Sequence, residues 1–262
     1  MMMLDYNFIL AIGIGMARLF PCFILIPAFS FEYIKGLPRY GIIFALALLP
    51  APGIRRYIIL QHLDLMSLGG LAVKELLLGS LLGIFLAMPF WLFESVGALF
   101  DSQRGALMGG QVNPNYGPSD TPSGRTFRDL TVYLMVIGLG FYGVVRLIWD
   151  SYQIWPPTLW FPHIVPGGYD QFLGVLNNTL HDMILYAAPF VVLLIFIDFG
   201  MGVMNIFASQ LNVYMLSSPL KSVVGFVILV LYLPTLTELI TQRIGDMHNL
   251  PMIMSHIIGI HS

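Results

Sequence analysis

The sequence predicts an all-α, polytopic membrane protein with kinked hydrophobic helices, on three observations. The chain has 262 residues, of which 57% are hydrophobic and 10% charged, whereas soluble domains carry about 25% charged residues. Its apolar residues gather into six runs, several near the ~20 residues that cross a bilayer core. The runs are apolar on all sides, without the two-residue alternation of barrel strands, and backbone groups in lipid then demand helices. So large an apolar excess must meet lipid, other subunits, or both.

The first run covers residues 8–31 and contains Arg18, Pro21 and Pro27. Asp5 precedes it, with no cationic segment and no small-residue cleavage site, so it reads as a retained helix rather than a cleaved signal. The second covers residues 40–49, with a continuation over 57–60 after Pro50-Ala51-Pro52-Gly53. The third, residues 68–100, holds Lys74, Glu75, Pro89 and Glu94. The fourth is residues 130–149, the fifth residues 183–204 with Pro189 and Asp198, and the sixth residues 222–240 with Pro234. Internal prolines predict kinks wherever neighbours can satisfy the freed carbonyls. Residues 101–129 and 150–182 read as long connections, the first rich in Gly, Pro, Ser and Asn, the second in Trp, Pro and Tyr. Trp155, Trp160 and Phe161 suit an interfacial aromatic belt or a packed helical segment.

Charged residues inside the runs carry the functional question. Arg18, Lys74, Glu75, Glu94, Arg146 and Asp198 lie within them or at their ends. An ionised group at mid-bilayer costs about 3 kcal/mol on insertion scales. Such groups relay ions in a transporter, pair across subunits, or snorkel from helix ends. Adjacent Lys74 and Glu75 point to different helix faces, so a pair between them is not to be assumed. Gly79 and Gly83 form a G-x-x-x-G, which predicts a close helix approach.

Enzyme chemistry finds no foothold. The sequence lacks H-E-x-x-H, G-x-S-x-G and the phosphate-binding G-x-x-x-x-G-K-[ST]. His62 with Asp64 and His181 with Asp182 lack a third ligand, and His248, His256 and His261 are dispersed. The single cysteine, Cys22, excludes an internal disulfide and reads as a buried small hydrophobe. A net charge of -2 gives no case for nucleic acid. Neither a cofactor nor a metal is expected.

Three stretches carry a resemblance. Lys74-Glu75, Gly79 and Gly83, Pro89-Phe90-Trp91 and Asp101-Ser102-Gln103-Arg104-Gly105 follow one another in one run. Ser151-Tyr152 precedes Trp155-Pro156. Phe207-Ala208-Ser209-Gln210-Leu211-Asn212-Val213 leads to Pro219-Leu220-Lys221-Ser222. In this order the segments resemble the T-component family of type III secretion export apparatuses, in its virulence-type rather than its flagellar form. The likeness spans residues 8–240. Ser102 stands where Asn is usual, Ile206 where Arg is frequent and Ser209 where Pro is common.

The resemblance implies a structural subunit of the bacterial inner membrane, multi-pass, with much of its body raised towards the periplasm. It implies one continuous body over residues 1–262, R-like to about residue 182, with an S-like helical hairpin and tail over about 183–262. The partners implied are R and S export-apparatus subunits, the U switch protein, the V export gate, the inner-rod protein and secreted polypeptides in transit. The segment after Gln103-Arg104-Gly105, containing Gly109, Gly110, Asn113, Pro114, Gly117 and Pro118, is expected to contribute a channel plug. Arg18, Lys74, Glu75, Gly79, Gly83, Pro89, Asp101, Asp198, Gln210, Asn212, Pro219 and Lys221 are expected at packing seams or buried charge sites. The competing function from the residues alone is a secondary transporter or ion channel, resting on Asp198 and the broken helices, but no internal repeat supports it. A lipid-modifying membrane enzyme would need a catalytic constellation that the sequence does not offer.

Overall fold

The structure, a computed structural model, describes residues 6–29, 36–105, 121–160, 167–207 and 213–258. Among them every regular element is helical. Helix α1 (Tyr6–Leu25) is followed by a 3-10 turn (Pro27–Phe29), α2 (Leu37–Ala47), α3 (Ala51–Gln61) and the long α4 (Leu65–Gln103). Then come α5 (Pro122–Gly138), α6 (Gly140–Ile154), α7 (Gly168–Phe207), α8 (Val213–Asp246), a 3-10 turn (Met247–Asn249) and α9 (Leu250–Ile258). Four of these are long and apolar enough to cross a membrane, or up to six if each bent pair counts as one span.

The helix boundaries follow local chemistry. Pro38 sits in the first turn of α2 behind Gly36, whose φ of 72° suits glycine. Pro50 is the N-cap of α3, and α2 and α3 meet at a bend of 58°. The fourth apolar run is two helices rather than one, broken at Leu139-Gly140, where Gly140 has φ 68°. The connection expected over residues 150–182 is largely helical. Helix α6 extends to Ile154, and α7 begins at Gly168, fifteen residues ahead of the expected fifth run. Its polar residues, such as Asn177, Asn178 and Thr179, masked a helix whose later turns are apolar. Pro21, Pro89, Pro189, Pro219 and Pro234 all lie inside helices that continue past them.

The chain forms two compact units that interleave in sequence. The first comprises residues 1–88, 139–173 and 245–262, and the second residues 89–138 and 174–244. In the first, α1 packs on α2 and α3, and α9 on α6. Gly15 lets α1 approach α2 so closely that a Cβ there would lie 3.3 Å from the Ala47 carbonyl oxygen. Gly79 and Gly83 do the same for α4 against α1: a Cβ at Gly79 would overlap the Arg18 carbonyl, and one at Gly83 would lie 3.1 Å from Cys22 Cα. Small residues are how helices gain van der Waals contact where lipid offers no hydrophobic drive. In the second unit, Gly97 of α4 meets Gly124 of α5 backbone to backbone. Phe190 of α7 stacks near Phe100, Phe127 and Tyr232, with centroids 4.9, 6.4 and 5.0 Å away.

Candidate functional site

In the first unit the buried charges converge. Arg18 on α1 and Glu75 on α4 are almost wholly inaccessible, and Arg18 Nε donates to Glu75 Oε2 at 2.6 Å. Lys74 Nζ lies 3.0 Å from Glu75 Oε1. The sequence left this pair open; the flexible four-carbon lysine stem reaches round the helix to the carboxylate. The cations also serve a second purpose. Arg18 donates to the carbonyls of Ser151 at 3.0 Å and Trp155 at 2.8 Å where α6 ends, the first of which also accepts the Trp155 N–H at 3.0 Å. Lys74 donates to the carbonyls of Pro157 at 3.1 Å and Leu159 at 2.9 Å. The Trp155 indole N–H donates to Leu159 as well, at 3.1 Å, and Trp160 lies against Gly70. The Arg18 guanidinium covers the Tyr152 ring at 4.1 Å, and the Tyr152 hydroxyl donates to the Gly15 carbonyl at 3.0 Å. The whole 151–160 turn is thereby sewn to α1 and α4.

In the second unit the Gln103-Arg104-Gly105 stretch closes α4. Gly105 has φ 80°, the left-handed conformation that ends helices, and its N–H bonds the Ser102 carbonyl at 3.2 Å. Arg104 turns back on Asp101, with Nε 2.9 Å and a terminal nitrogen 2.6 Å from Oδ1. The same terminal nitrogen reaches the Ser123 hydroxyl at 3.3 Å. Asp101 Oδ2 accepts the Ser123 backbone N–H at 2.7 Å. Ser123 lies in the first turn of α5, where a carboxylate meets free N–H groups and the positive end of the helix dipole. Thr121 caps the same end, its hydroxyl accepting from the Gly124 N–H at 3.2 Å, with Pro122 leading the helix. Phe100 and Phe226 rings flank the guanidinium at 5.0 Å each. Asp101 and Arg104 thus clamp the residues before segment 106–120 to those after it.

Three further ion pairs tie helices of the second unit. Asp198 on α7 takes Lys221 of α8 at 2.9 Å, and Asp182 on α7 takes Arg243 of α8 at 2.8 Å. Glu94 on α4 takes Arg128 of α5 at 3.3 Å. Asp198, on which a transporter reading rests, therefore has an internal partner, and Lys221 finds its carboxylate within this chain. Pro219 lies two residues earlier in α8 and Pro89 within α4. Arg146 is exposed on α6. Gly109, Gly110, Asn113, Pro114, Gly117, Pro118, Gln210 and Asn212 lie outside the described residues.

Two contributors escaped the sequence reading. Arg39 is buried and donates to the Phe23 carbonyl in the last turn of α1. Thr121, Pro122 and Ser123 start α5 eight residues before the expected run. The signal for α5 was present as a Thr-Pro cap pair inside a stretch otherwise read as a connection. Among the described residues no three of His, Cys, Asp and Glu gather as a metal site. Among the described residues the buried charges form joints between helices.

Comparison with known proteins bears on what these joints hold. Residues 9–247 match the profile of the bacterial export proteins, family 1. The chain is 32% identical over 218 residues to the Yop proteins translocation protein T of Yersinia pestis, covering 82% of each chain. It is 27% identical over 232 residues to the surface presentation of antigens protein SpaR of Salmonella typhimurium, covering 87% of this chain and 84% of the relative. Against the flagellar biosynthetic protein FliR of Bacillus subtilis the identity is 25% over 217 residues, covering 81% and 82%.

Proposed function

Because this chain belongs to family 1 of the bacterial export proteins, we propose that it is the T-type structural subunit of a virulence-type type III secretion export gate. It works in the inner membrane, assembled with R and S subunits into the channel through which unfolded polypeptides leave. Residues to about 182 act as an R-like part and residues from about 183 as an S-like hairpin. The assembly is raised towards the periplasm, meets the U switch protein and the V export gate, and offers a base to the inner rod and needle. Segment 106–120 contributes to the plug that closes the resting channel.

The observation that supports this most is the Asp101–Arg104–Ser123 clamp. It holds both flanks of a segment whose neighbourhood from Gln103 to Pro122 has no charge except Arg104 and Asp120. Such a segment can occupy a narrow lumen without a large desolvation penalty, while its base stays fixed. The greater similarity to the Yersinia and Salmonella proteins than to the flagellar one supports the virulence type.

The test removes residues 109–118 while keeping the clamp. The variant should co-purify with R and S subunits as the parent does, and cells carrying the complex without a needle should become leaky to small solutes. Normal assembly with a seal as tight as the parent's would show that this segment is not the plug. A chain that is monodisperse in mild detergent, shows no affinity for R and S, and moves a solute by itself would support the transporter reading instead.

A further inference from the structure

Arg104 makes two kinds of contact, because a guanidinium donates in its plane and stacks through its faces. In the plane it answers Asp101 of α4 and Ser123 in the first turn of α5. Against its faces lie the rings of Phe100 and Phe226, each with its centroid 5.0 Å from the guanidinium carbon. Different forces hold the two rings. Phe100 is wholly buried and packs on Phe190 at 4.9 Å, so the core accounts for its place. Phe226 is 53% exposed, and burial does not account for its position beside a cation. The negative face of the ring does, since it attracts a cation within about 6 Å.

Helix α8 is brought to this point by small residues. Gly225 is buried, and a Cβ there would lie 3.1 Å from two ring atoms of Phe100. A Cβ placed on Gly105 would lie 3.7 Å from the Ser218 hydroxyl. Ser218 and Gly225 stand at i and i+7, positions that share a helix face. One side of α8 therefore runs beside the end of α4, with Phe226 next to it. Lys221 and Arg243 fasten α8 to Asp198 and Asp182 of α7. Arg104 is thus the place where the α7–α8 pair meets the joint between α4 and α5.

We infer that Phe226 is a positioning residue: its ring holds the Arg104 guanidinium against α8, so that the clamp, and the seal with it, depends on where α8 stands. The consequence for sealing rests on the plug role proposed for segment 106–120, whereas the hold on Arg104 stands without it. Phe226 acts through Arg104 alone. Its exposed side leaves the ring open to displacement from outside the unit, which Phe100, buried in the core, is not.

The test separates the electronics of the ring from its shape. Position 226 receives progressively fluorinated phenylalanines, which nearly keep the shape while draining the negative face, and separately Phe226→Leu and Phe226→Trp. The chain is purified with its partner subunits, and trypsin cleavage after Arg104 is timed by mass spectrometry. Where closing outpaces cleavage, the rate follows the population in which the clamp is open. Cleavage after Arg18, which is buried in the first unit, gauges general loosening. Cleavage at Arg104 should rise with each step of fluorination and about threefold in Phe226→Leu. It should stay at or below the parent rate in Phe226→Trp, because indole is the best cation partner among the rings. Arg18 should stay protected throughout. Leak of small solutes into cells carrying the complex without a needle should rise in the same order. Equal cleavage at Arg104 across the fluorinated series, or a rise at Arg18 as large as that at Arg104, would overturn the assignment. The variant lacking residues 109–118 is measured alongside. If it seals as tightly as the parent, the plug role fails, and the cleavage series still decides what Phe226 does. If it leaks while Phe226→Leu seals normally with its clamp opened, the link from Phe226 to the seal is overturned.

Discussion

The Arg18–Glu75 pair offers the sharpest test of how the first unit is held. Replacing Arg18 with Met keeps most of the volume and removes the charge. Glu75 would lose its 2.6 Å partner but keep Lys74 at 3.0 Å, so the carboxylate would not be orphaned. The Trp155 carbonyl would lose its Arg18 donor, while the Ser151 carbonyl would keep the Trp155 N–H. Removing one member of a buried pair costs about 3–5 kcal/mol, and stranding a buried carbonyl about 1–3 kcal/mol. These effects overlap at one side chain, so the expected loss is about 4 kcal/mol. Replacing Glu75 with Gln should cost about 3 kcal/mol, because the guanidinium keeps two carbonyls and the Tyr152 ring. The double variant should cost about 4 kcal/mol rather than the sum of about 7, a coupling of about 3 kcal/mol. Stability is read as the thermal midpoint of the chain purified with its partner subunits. Proteolytic cleavage within residues 155–160 gives a local readout and should rise in Arg18→Met more than in Glu75→Gln. Additivity within about 0.5 kcal/mol would refute the coupling. Unchanged protection of residues 155–160 would refute the role given to the carbonyl contacts.

Gly79→Leu should prevent α1 from seating on α4, since even a Cβ overlaps the Arg18 carbonyl, and should abolish accumulation of the chain on immunoblots of membranes. The substitution Gly53→Ala, at a glycine with open space around it, should leave accumulation unchanged. Lys221→Ala should be milder than a buried-pair deletion, by about 1 kcal/mol or less, because Asp198 is 44% exposed and can be solvated; the thermal midpoint checks this. Arg104→Ala should free the flanks of segment 106–120 and lower both sealing and secretion. Arg104→Lys, which keeps the charge without the fork that spans Asp101 and Ser123, should recover only part of either readout.

The helical class and the long helices were legible because an all-round apolar run admits only one backbone solution in lipid. Boundaries were less legible where polar turns belong to a helix. Residues 168–182 carry Asp170, Gln171, Asn177, Asn178 and His181, so hydropathy alone starts the run late, although the helix begins at Gly168. The break at Leu139-Gly140 was hidden because one glycine in an apolar run looks like any other until its φ of 68° is known. The close approach at Gly79 and Gly83 was legible from spacing; its partner α1 was not, since spacing names a face and not what meets it. Partners of the buried charges were least legible. Arg18 and Glu75 are 57 positions apart, and Arg18 and Trp155 are 137 apart. Only the fold brings such residues together.

The distribution of these pairs bears on what the outer surfaces must do. Arg18, Lys74, Glu75, Glu94, Asp101, Arg104, Asp182, Asp198, Lys221 and Arg243 each have an ionic partner within their own unit. Charges that sequence alone could assign to subunit seams are therefore largely answered inside the chain, many of them by carbonyls and N–H groups at helix ends. What is left outward on α7 and α8 is mostly apolar, with Ile184, Phe196, Phe199, Phe207, Val223 and Leu231 all well exposed. An interface built on such faces gains its specificity from shape and small-residue packing rather than from charge pairing. Association through these faces should accordingly vary little with salt, whereas screened long-range attraction would weaken as ionic strength rises. Co-purification of partner subunits from mild detergent across a salt series separates the two: a steep loss with salt would place the dominant contacts on charged residues instead.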